Sequence, residues 1–379
     1  MVYVNIVGIT VLFIFLLFIL PKKKKGTSDY LLVLAILLIA AMLFSYVLIA
    51  QGLTAPKYLF QMLVSSFLFP SFILYGLVLT DEEHRLRKTW WWVPSFALAY
   101  AIFLLMDFFL FNDYGSYEKI IKLYNDPPVG YMIFYKAHYA FEIVVLIWFL
   151  RKMKRYGQDI RNYYSFIDPI HLKWFRNFTL IFLFNDILGF LIFVGFDIGV
   201  LKDIKTPFAI SYLVMVLSLF YLCYNGIKQY ALADFRDAPR NEDGNPVKSV
   251  ARGEKYKTSS LSDRDMDALF QQINTLFEQE KVFLEPQLKI HGLAERLGVT
   301  THKISQTINT KAEKSFFDYV NSFRVEHLSA LLKKPENQKY TILALGLESG
   351  FNSKATLNRI FRQQLGSSPK EFQKAQFTK

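Results

Sequence analysis

The sequence contains a single cysteine in 379 residues and few charged side chains. Cys223 on its own excludes a disulfide framework and every metal site that needs several cysteines. Charged residues make up 20% of the chain and hydrophobic residues 53%. Because soluble proteins with that apolar share carry about a quarter charged residues, the composition argues against an entirely soluble protein. It also excludes a disordered or fibrous chain.

Motifs for nucleotide and zinc chemistry are also missing. The sequence has no glycine-rich nucleotide loop and no phospho-acceptor block, which disfavours a receptor kinase. Its six histidines do not have the spacing of zinc ligands. We therefore expect no metal site and no cofactor.

Long apolar runs fill the first 227 residues. A helix needs about 20 apolar residues to cross the hydrocarbon core of a bilayer. Seven runs approach or exceed that length: Val2–Leu20, Tyr30–Ala50, Tyr58–Leu79, Trp90–Phe111, Tyr131–Leu150, Phe175–Phe196 and Phe208–Ile227. So many runs leave too little polar sequence to cover a water-soluble core. The pattern predicts an all-α protein with a polytopic bundle of seven transmembrane helices.

The charges of the connecting loops predict the orientation. Alternate loops contain 13 lysines and arginines in one set and five in the other, the sets being 21–29, 80–89 and 151–174, then 51–57, 112–130 and 197–207. Basic short loops stay on the cytoplasmic side. We therefore expect a multi-pass protein of the cytoplasmic (inner) membrane, with the N-terminus outside and the residues after 227 in the cytoplasm. The first run has no basic residue before it and four lysines after it, so we expect it to be a membrane helix rather than a cleaved signal peptide.

Ionisable and strongly polar side chains inside these runs are candidate functional residues, because they are costly in lipid. They are Asp107, Lys136, His138, Glu142, Asn185 and Asp186. Three interpretations stay open. The residues are structural and pair with neighbouring helices or lie at the interface, or they line a pocket for an unknown small ligand or membrane signal, or they form an ion or proton pathway.

The remaining residues have the composition of an ordinary soluble helical domain. The 152 residues from 228 onward include 24 lysines and arginines and 18 acidic residues. Proline, glycine and alternating charges mark a solvated linker near the start of this stretch. We therefore divide the chain into a transmembrane sensor domain at 1–227, a cytoplasmic linker at 228–260 and a soluble domain at 261–379.

The soluble domain contains two short helical pairs, each with a turn that contains glycine. The first pair spans 288–309 with its turn at Gly298, and the second spans 342–363 with its turn at Gly350. Such pairs are helix-turn-helix candidates, although one alone is a weak signal. Ser262 and Ser315 begin further helices, and the helix after Ser315 runs to about Leu332. Its roughly 17 residues span about 25 Å, enough to place two recognition helices about one turn of DNA apart.

The second pair and the residues after it resemble the AraC/XylS family of transcription regulators. The residues that carry the resemblance are Ile342–Ser349, Gly350-Phe351-Asn352-Ser353, Asn358–Arg362 and Gly366-Ser367-Ser368-Pro369, with Leu293–Val299 and Phe317–Val325 upstream. The resemblance covers about 260–376. It implies an AraC-type domain that binds operator DNA, with no enzymatic activity and no catalytic residue. Two positions depart from the pattern, since Gly346 stands where the family usually has alanine and Leu357 where it usually has an aromatic residue. Gly346 should loosen its helix by up to about 1 kcal/mol.

Helical geometry predicts a buried face and an outward, DNA-contacting face on the second helix of each pair, the recognition helix. Ile304 and Ile308 point together in the first, as Leu357, Ile360 and Phe361 do in the second. The candidate DNA-binding residues are His302, Lys303, Ser305, Gln306 and Asn309, then Lys354, Ala355, Thr356, Asn358, Arg359 and Arg362. Arginine, asparagine and glutamine suit base edges in the major groove, whereas Lys303, Lys354 and Arg362 suit phosphates.

The sequence therefore predicts a membrane-embedded transcription regulator that senses a signal and binds double-stranded promoter DNA. Its expected partners are membrane lipid, an unknown ligand or signal and, as the resemblance implies, RNA polymerase. A homodimer is also an expected form of the protein, because two linked binding sites raise avidity for paired DNA sites. The alternative is a membrane transporter or enzyme with a regulatory DNA-binding tail, or a tethered adaptor whose helix-turn-helix domain binds protein. A flexible linker would transmit a signal from the membrane domain to the DNA-binding domain poorly. We therefore expect either that the last apolar helix continues past 229–232 or that the signal changes the association of two chains.

Overall fold

The computed structural model describes residues 2–21, 25–52, 54–80, 92–106, 129–168, 170–201, 205–232 and 262–377. Within these ranges the fold is all-α, and the one extended pairing is an isolated bridge between Tyr164 and Lys289. The helices of the first 232 residues are α1 Val2–Ile19, α2 Thr27–Ala50, α3 Ala55–Thr80, α4 Trp92–Met106, α5 Val129–Tyr163, α6 Lys173–Asp197 and α7 Lys205–Leu232. Those that follow are α8 Asp263–Glu278, α9 Ile290–Leu297, α10 Thr301–Lys311, α11 Phe316–Leu332, α12 Ile342–Glu348, α13 Lys354–Leu365 and α14 Pro369–Phe377, with 3₁₀ turns at Val282–Leu284 and Pro335–Lys339.

Each of the seven apolar runs overlaps one of the helices α1 to α7. Three helical stretches are long and apolar enough to cross a membrane, namely Thr27–Ala50, Leu59–Thr80 and Lys173–Asp197, and two shorter apolar stretches are Asn5–Ile19 and Leu213–Gly226. The all-α fold class is thus confirmed for the described residues. The count of seven spans stays a prediction. Helix α7 reaches Leu232, and the residues directly after it lie outside the described ranges. Continuation of this helix past 229–232 stays a prediction.

The chain divides into two compact units. The first consists of 1–154 and 172–234, and the second of 155–171 and 235–379. Residues 228–232 of the predicted linker belong to α7, and its residues 233–260 lie outside the described residues. Residues 81–91 and 107–128, which include Asp107, also lie outside them. Residues 155–171, which form the end of α5 and the turn after it, belong to the unit of the helix-turn-helix pairs. The predicted boundary at residue 227 places them with the apolar helices instead.

An aromatic cluster forms part of the core of the first unit. Phe72 of α3 meets Phe178 of α6 edge-on at a centroid distance of 5.2 Å, and Phe149 of α5 meets Phe175 of α6 at 5.8 Å. All four rings are buried. Gly76 of α3 allows this approach, because a Cβ there would lie 2.3 Å from the ring of Phe175.

The outward faces of the first unit are strongly apolar. Side chains such as Phe13, Leu17, Val144 and Phe184 are each more than 60% exposed. Soluble monomers rarely expose contiguous apolar patches of more than a few hundred Å². Helices with apolar faces on both the inside and the outside are therefore suited to an apolar surrounding.

Helix α11 lies between two hydrophobic cores in the second unit. Its Phe316, Tyr319 and Val320 pack with α8, α9 and α10 in the first core. Its Phe317 and Leu328 pack with α12 and α13 in the second core. Adjacent residues of one helix thus anchor the two helix-turn-helix pairs, so α11 fixes their relative positions.

Candidate nucleic-acid interface

The first helix-turn-helix pair is shaped by a left-handed glycine and a threonine cap. Gly298 ends α9 with φ +63°, a conformation that suits glycine, and Thr300 then caps α10. The Thr300 hydroxyl accepts a hydrogen bond from the backbone N–H of Lys303. Because α10 begins at this cap, its first residues directly follow the turn.

The second pair repeats the arrangement with tighter packing. Gly350 follows α12 with φ +87°, and Ser353 caps α13 by accepting from the backbone N–H of Thr356 at 3.2 Å. A Cβ on Gly350 would lie 2.5 Å from the carbonyl oxygen of Phe283. Glycine is therefore required here both for its backbone conformation and for the close approach of another segment.

The outer face of α10 carries most of the residues expected there. His302 and Asn309 are exposed, and Lys303 and Gln306 are half-buried. Ser305 differs, since it is only 8% exposed. Helix α10 packs against α8, α9 and α11, so its buried arc is wider than that of a helix with one neighbour. Ser305 lies within this arc.

The outer face of α13 is more basic. Lys354, Ala355, Arg359 and Arg362 are exposed, and Asn358 is half-buried. Thr356, also expected on this face, is only 3% exposed. A shallow depression on the same face is lined by Asn358, Arg359, Arg362 and Gln363. Sequence reasoning missed Gln363, although its position four residues after Arg359 was a signal that could have placed it beside that side chain.

Two carboxylates lie next to the arginines of α13. Glu371 of α14 lies 3.8 Å from Arg362, and Asp168 of the 155–171 segment lies 3.3 Å from Arg359. The backbone N–H and hydroxyl of Ser368 lower the pKa of Glu371 by donating to its charged form. The arginines therefore belong to a mixed-charge surface in which anionic groups already contact the basic face.

A buried arginine joins the parts of the second unit. Arg324 of α11 is 1% exposed and donates to the carbonyl oxygens of Phe283 at 2.8 Å and Glu285 at 2.6 Å. It also donates to the hydroxyl of Ser165 at 3.3 Å. Burial lowers the pKa of Arg324 to about 10, with an opposing contribution from Glu285, so the guanidinium stays charged near neutral pH. Nothing in the local sequence pattern distinguishes Arg324, because its partners are distant in the chain.

The two departures from the family pattern lie against each other. An alanine Cβ at Gly346 would be 1.8 Å from Cδ1 of Leu357, which is fully buried. The missing methyl group on α12 therefore leaves the space that this leucine side chain of α13 fills. The cost of a glycine within α12 is offset by the packing of Leu357.

The candidate residues of the apolar helices are partly brought together. Glu142 of α5 and Asp186 of α6 are 7% and 3% exposed, and Nε2 of His138 lies 3.4 Å from a carboxylate oxygen of Glu142. Lys136 pairs with Asp197 instead. Asn185 is half-buried. The described part of this group is thus one polar cluster and one separate ion pair. In the cluster, Glu142 and Asp186 are buried and interact electrostatically, and His138 is half-buried.

Comparison with known proteins bears on the second unit. Residues 293–375 match the family model described as "Helix-turn-helix domain". No curated protein and no solved structure matched the chain. The matched range contains the second helix-turn-helix pair, most of the first pair and both outer faces. It supports DNA binding by this part of the chain and points to a regulator rather than an enzyme. Residues 293–375 form an AraC-type helix-turn-helix domain.

Proposed function

We propose that this protein is a membrane-embedded transcription regulator that binds promoter DNA sequence-specifically through α10 and α13. The observation that carries the proposal is the pair of capped recognition helices held on one rigid helix, α11, with basic and amide side chains outward. Arg359 and Asn358 are suited to base edges, and Lys354 at the start of α13 is suited to a phosphate. RNA polymerase would be the partner of a DNA-bound regulator of this type.

DNA binding is tested by selecting duplexes from a random pool with the full-length protein in lipid nanodiscs. The affinity for the selected site should fall linearly with salt on logarithmic axes, because phosphate contacts release counterions. Arg359→Ala should cost about 1–3 kcal/mol and relax the preference at one base pair, whereas Lys354→Ala should weaken all sequences alike. Arg264→Ala is the matched control, since Arg264 is an exposed arginine of α8, outside both recognition helices. Failure to enrich any duplex, both by the wild-type chain and by its Asp168→Asn variant, would contradict DNA binding.

The same proposal places α1 to α7 in the cytoplasmic membrane. Support comes from the exposed apolar faces of these helices and from three helical stretches long enough to cross a bilayer. An impermeant thiol reagent tests the orientation in intact cells that carry Cys223→Ser. Ser116→Cys should be labelled and Asp243→Cys should not. Labelling at position 243 would refute the cytoplasmic location of the DNA-binding part.

We further propose that the cluster of His138, Glu142 and Asp186 receives the signal, because ionisable side chains in lipid are retained at a cost. Glu142→Gln and Asp186→Asn should shift the dose response of target genes without changing the DNA affinity measured in nanodiscs without inducer. Asp29→Asn is the control, since Asp29 is a buried carboxylate that accepts from the backbone N–H of Gly26 in α2's cap. An unchanged dose response in both cluster variants would contradict this role.

A further inference from the structure

The 155–171 segment is built into the core of the DNA-binding unit. Ile160 and Ile167 are 7% and 5% exposed and belong to the hydrophobic core that contains Phe317, Leu357 and Phe361. Leu357 and Phe361 are the inward residues of α13. The segment therefore packs directly beneath the second recognition helix.

Polar contacts hold the segment in register. Ser165 is 1% exposed, and its hydroxyl donates to the carbonyl oxygen of Leu288 at 2.7 Å. Its own carbonyl oxygen accepts from Asn321 at 3.2 Å, in addition to the contact of its hydroxyl with Arg324. Buried polar atoms need such partners, so these hydrogen bonds fix the position of Ser165 in the unit.

A second anchor lies one turn earlier, at the end of α5. The guanidinium of Arg161 donates to both carboxylate oxygens of Asp318 at 2.6 and 2.8 Å, and it lies 4.9 Å from the ring centroid of Phe317. Asp318 is also in the first turn of α11, where a carboxylate is favoured by the helix dipole. Asp168 follows Arg161 and Ser165 closely in the chain, so these two anchors restrict its position.

Asp168 reaches the face of α13 that is proposed to contact DNA. One carboxylate oxygen accepts a hydrogen bond from the hydroxyl of Thr356, in the first turn of α13, and the other lies 3.3 Å from a guanidinium nitrogen of Arg359. Asp168 and Arg359 are both more than a third exposed, so water and other anions have access to the pair. A carboxylate at the start of a helix, paired with an arginine, presents the same oxygen acceptors as a DNA phosphate or a guanine edge.

We propose that the 155–171 segment is an autoinhibitory element in which Asp168 occupies Arg359, an exposed donor of α13 that would contact DNA, and must leave before DNA binds. The inference rests on the proposed DNA-binding function. DNA and Asp168 compete for Arg359, so the apparent affinity for DNA is lowered by the fraction of molecules in which the contact is made. Since α5 continues without a break to Tyr163, five residues before Asp168, a change in α5 shifts this equilibrium.

The test compares charge-matched variants of the full-length protein in nanodiscs. DNA affinity is measured on the duplex that the wild-type chain selects. If the wild type selects none, the duplex that Asp168→Asn selects is used. Asp168→Asn should bind about 5- to 10-fold more tightly than Asp159→Asn, which removes the same charge from an exposed position of the same segment. Asp168→Lys should exceed Asp159→Lys by at least the same factor, because it also repels Arg359. In an Arg359→Ala background, the advantage of Asp168→Asn should shrink, since its main partner is absent.

Equal affinities of Asp168→Asn and Asp159→Asn would overturn the autoinhibitory role, whereas a loss in Arg359→Ala would then still support DNA binding. If Asp168→Asn selects a duplex and the wild-type chain does not, both ideas are supported. If neither protein selects any duplex, both are refuted. Protection of α11 amides from hydrogen exchange, measured in every variant, shows that the unit is folded in each comparison.

Discussion

Replacement of Gly350 by alanine should destabilise the second unit far more than the same change at two other left-handed glycines. Gly350 has φ +87°, a region that costs an L-residue about 1–2 kcal/mol. The added Cβ would also lie 2.5 Å from the carbonyl oxygen of Phe283 and 3.0 Å from Nε of Arg324. Because Phe283 is held by that arginine, relief requires a backbone shift, which costs about 1–3 kcal/mol more. We expect a total loss of about 2–5 kcal/mol in the free energy of unfolding.

Gly298 and Gly366 provide matched controls for the part of this loss that comes from the left-handed backbone conformation. They have φ values of +63° and +73°, but a Cβ on either meets no atom within 4 Å. Alanine at these positions should therefore cost only about 1–2 kcal/mol. Hydrogen exchange of α11 amides in the full-length protein reports the free energy of opening. If Gly350→Ala lowers this energy no more than the two controls do, the close approach of Phe283 does not constrain the fold.

Three further predictions concern the same unit. Arg324→Met should lower the free energy of unfolding by about 2–4 kcal/mol, because it leaves buried carbonyl oxygens without a donor; a loss below about 1 kcal/mol in hydrogen exchange would contradict this. Gly346→Ala should cost about 1–3 kcal/mol, and Leu357→Val should reduce that cost in the double variant, whereas strictly additive losses would show that the two sites are independent. His327, which lies 3.2 Å from the hydroxyl of Ser349, has its pKa lowered chiefly by burial and then by Lys281. The unfolded chain therefore binds more protons, so the unfolding temperature should fall as pH drops from about 6.5, and His327→Gln should flatten this dependence.

Much of the local structure was predictable because its causes are local. The seven apolar runs and the serine caps before α8 and α11 depend on neighbouring residues only, and Ser262 and Ser315 indeed accept from backbone N–H groups three residues on. The turn glycines of both helix-turn-helix pairs could be recognised for the same reason. Their left-handed φ values follow from the short path between two packed helices.

The remainder depends on contacts between distant parts of the chain. Thr356 is buried rather than exposed, and its hydroxyl donates to Asp168, which lies 188 positions earlier in the sequence. Ser305 is buried because α10 has three neighbours, which a single-helix projection does not include. The 155–171 segment contains charged residues typical of a solvated loop, and its two buried isoleucines gave no signal that they join another core.

A unit assembled from two separate stretches of sequence imposes an order on synthesis. Residues 155–171 leave the ribosome about 90 positions before α8 begins, which at roughly 5–20 residues per second is a wait of about 5–20 s. Ile160, Ile167 and Ser165 have no core to join during that interval. The contact of Ser165 with Arg324 then closes a loop of 159 positions, and such distant contacts form slowly. The DNA-binding unit is therefore completed late, after the helices that precede it have been made, so a nascent chain released early carries no finished DNA-binding surface.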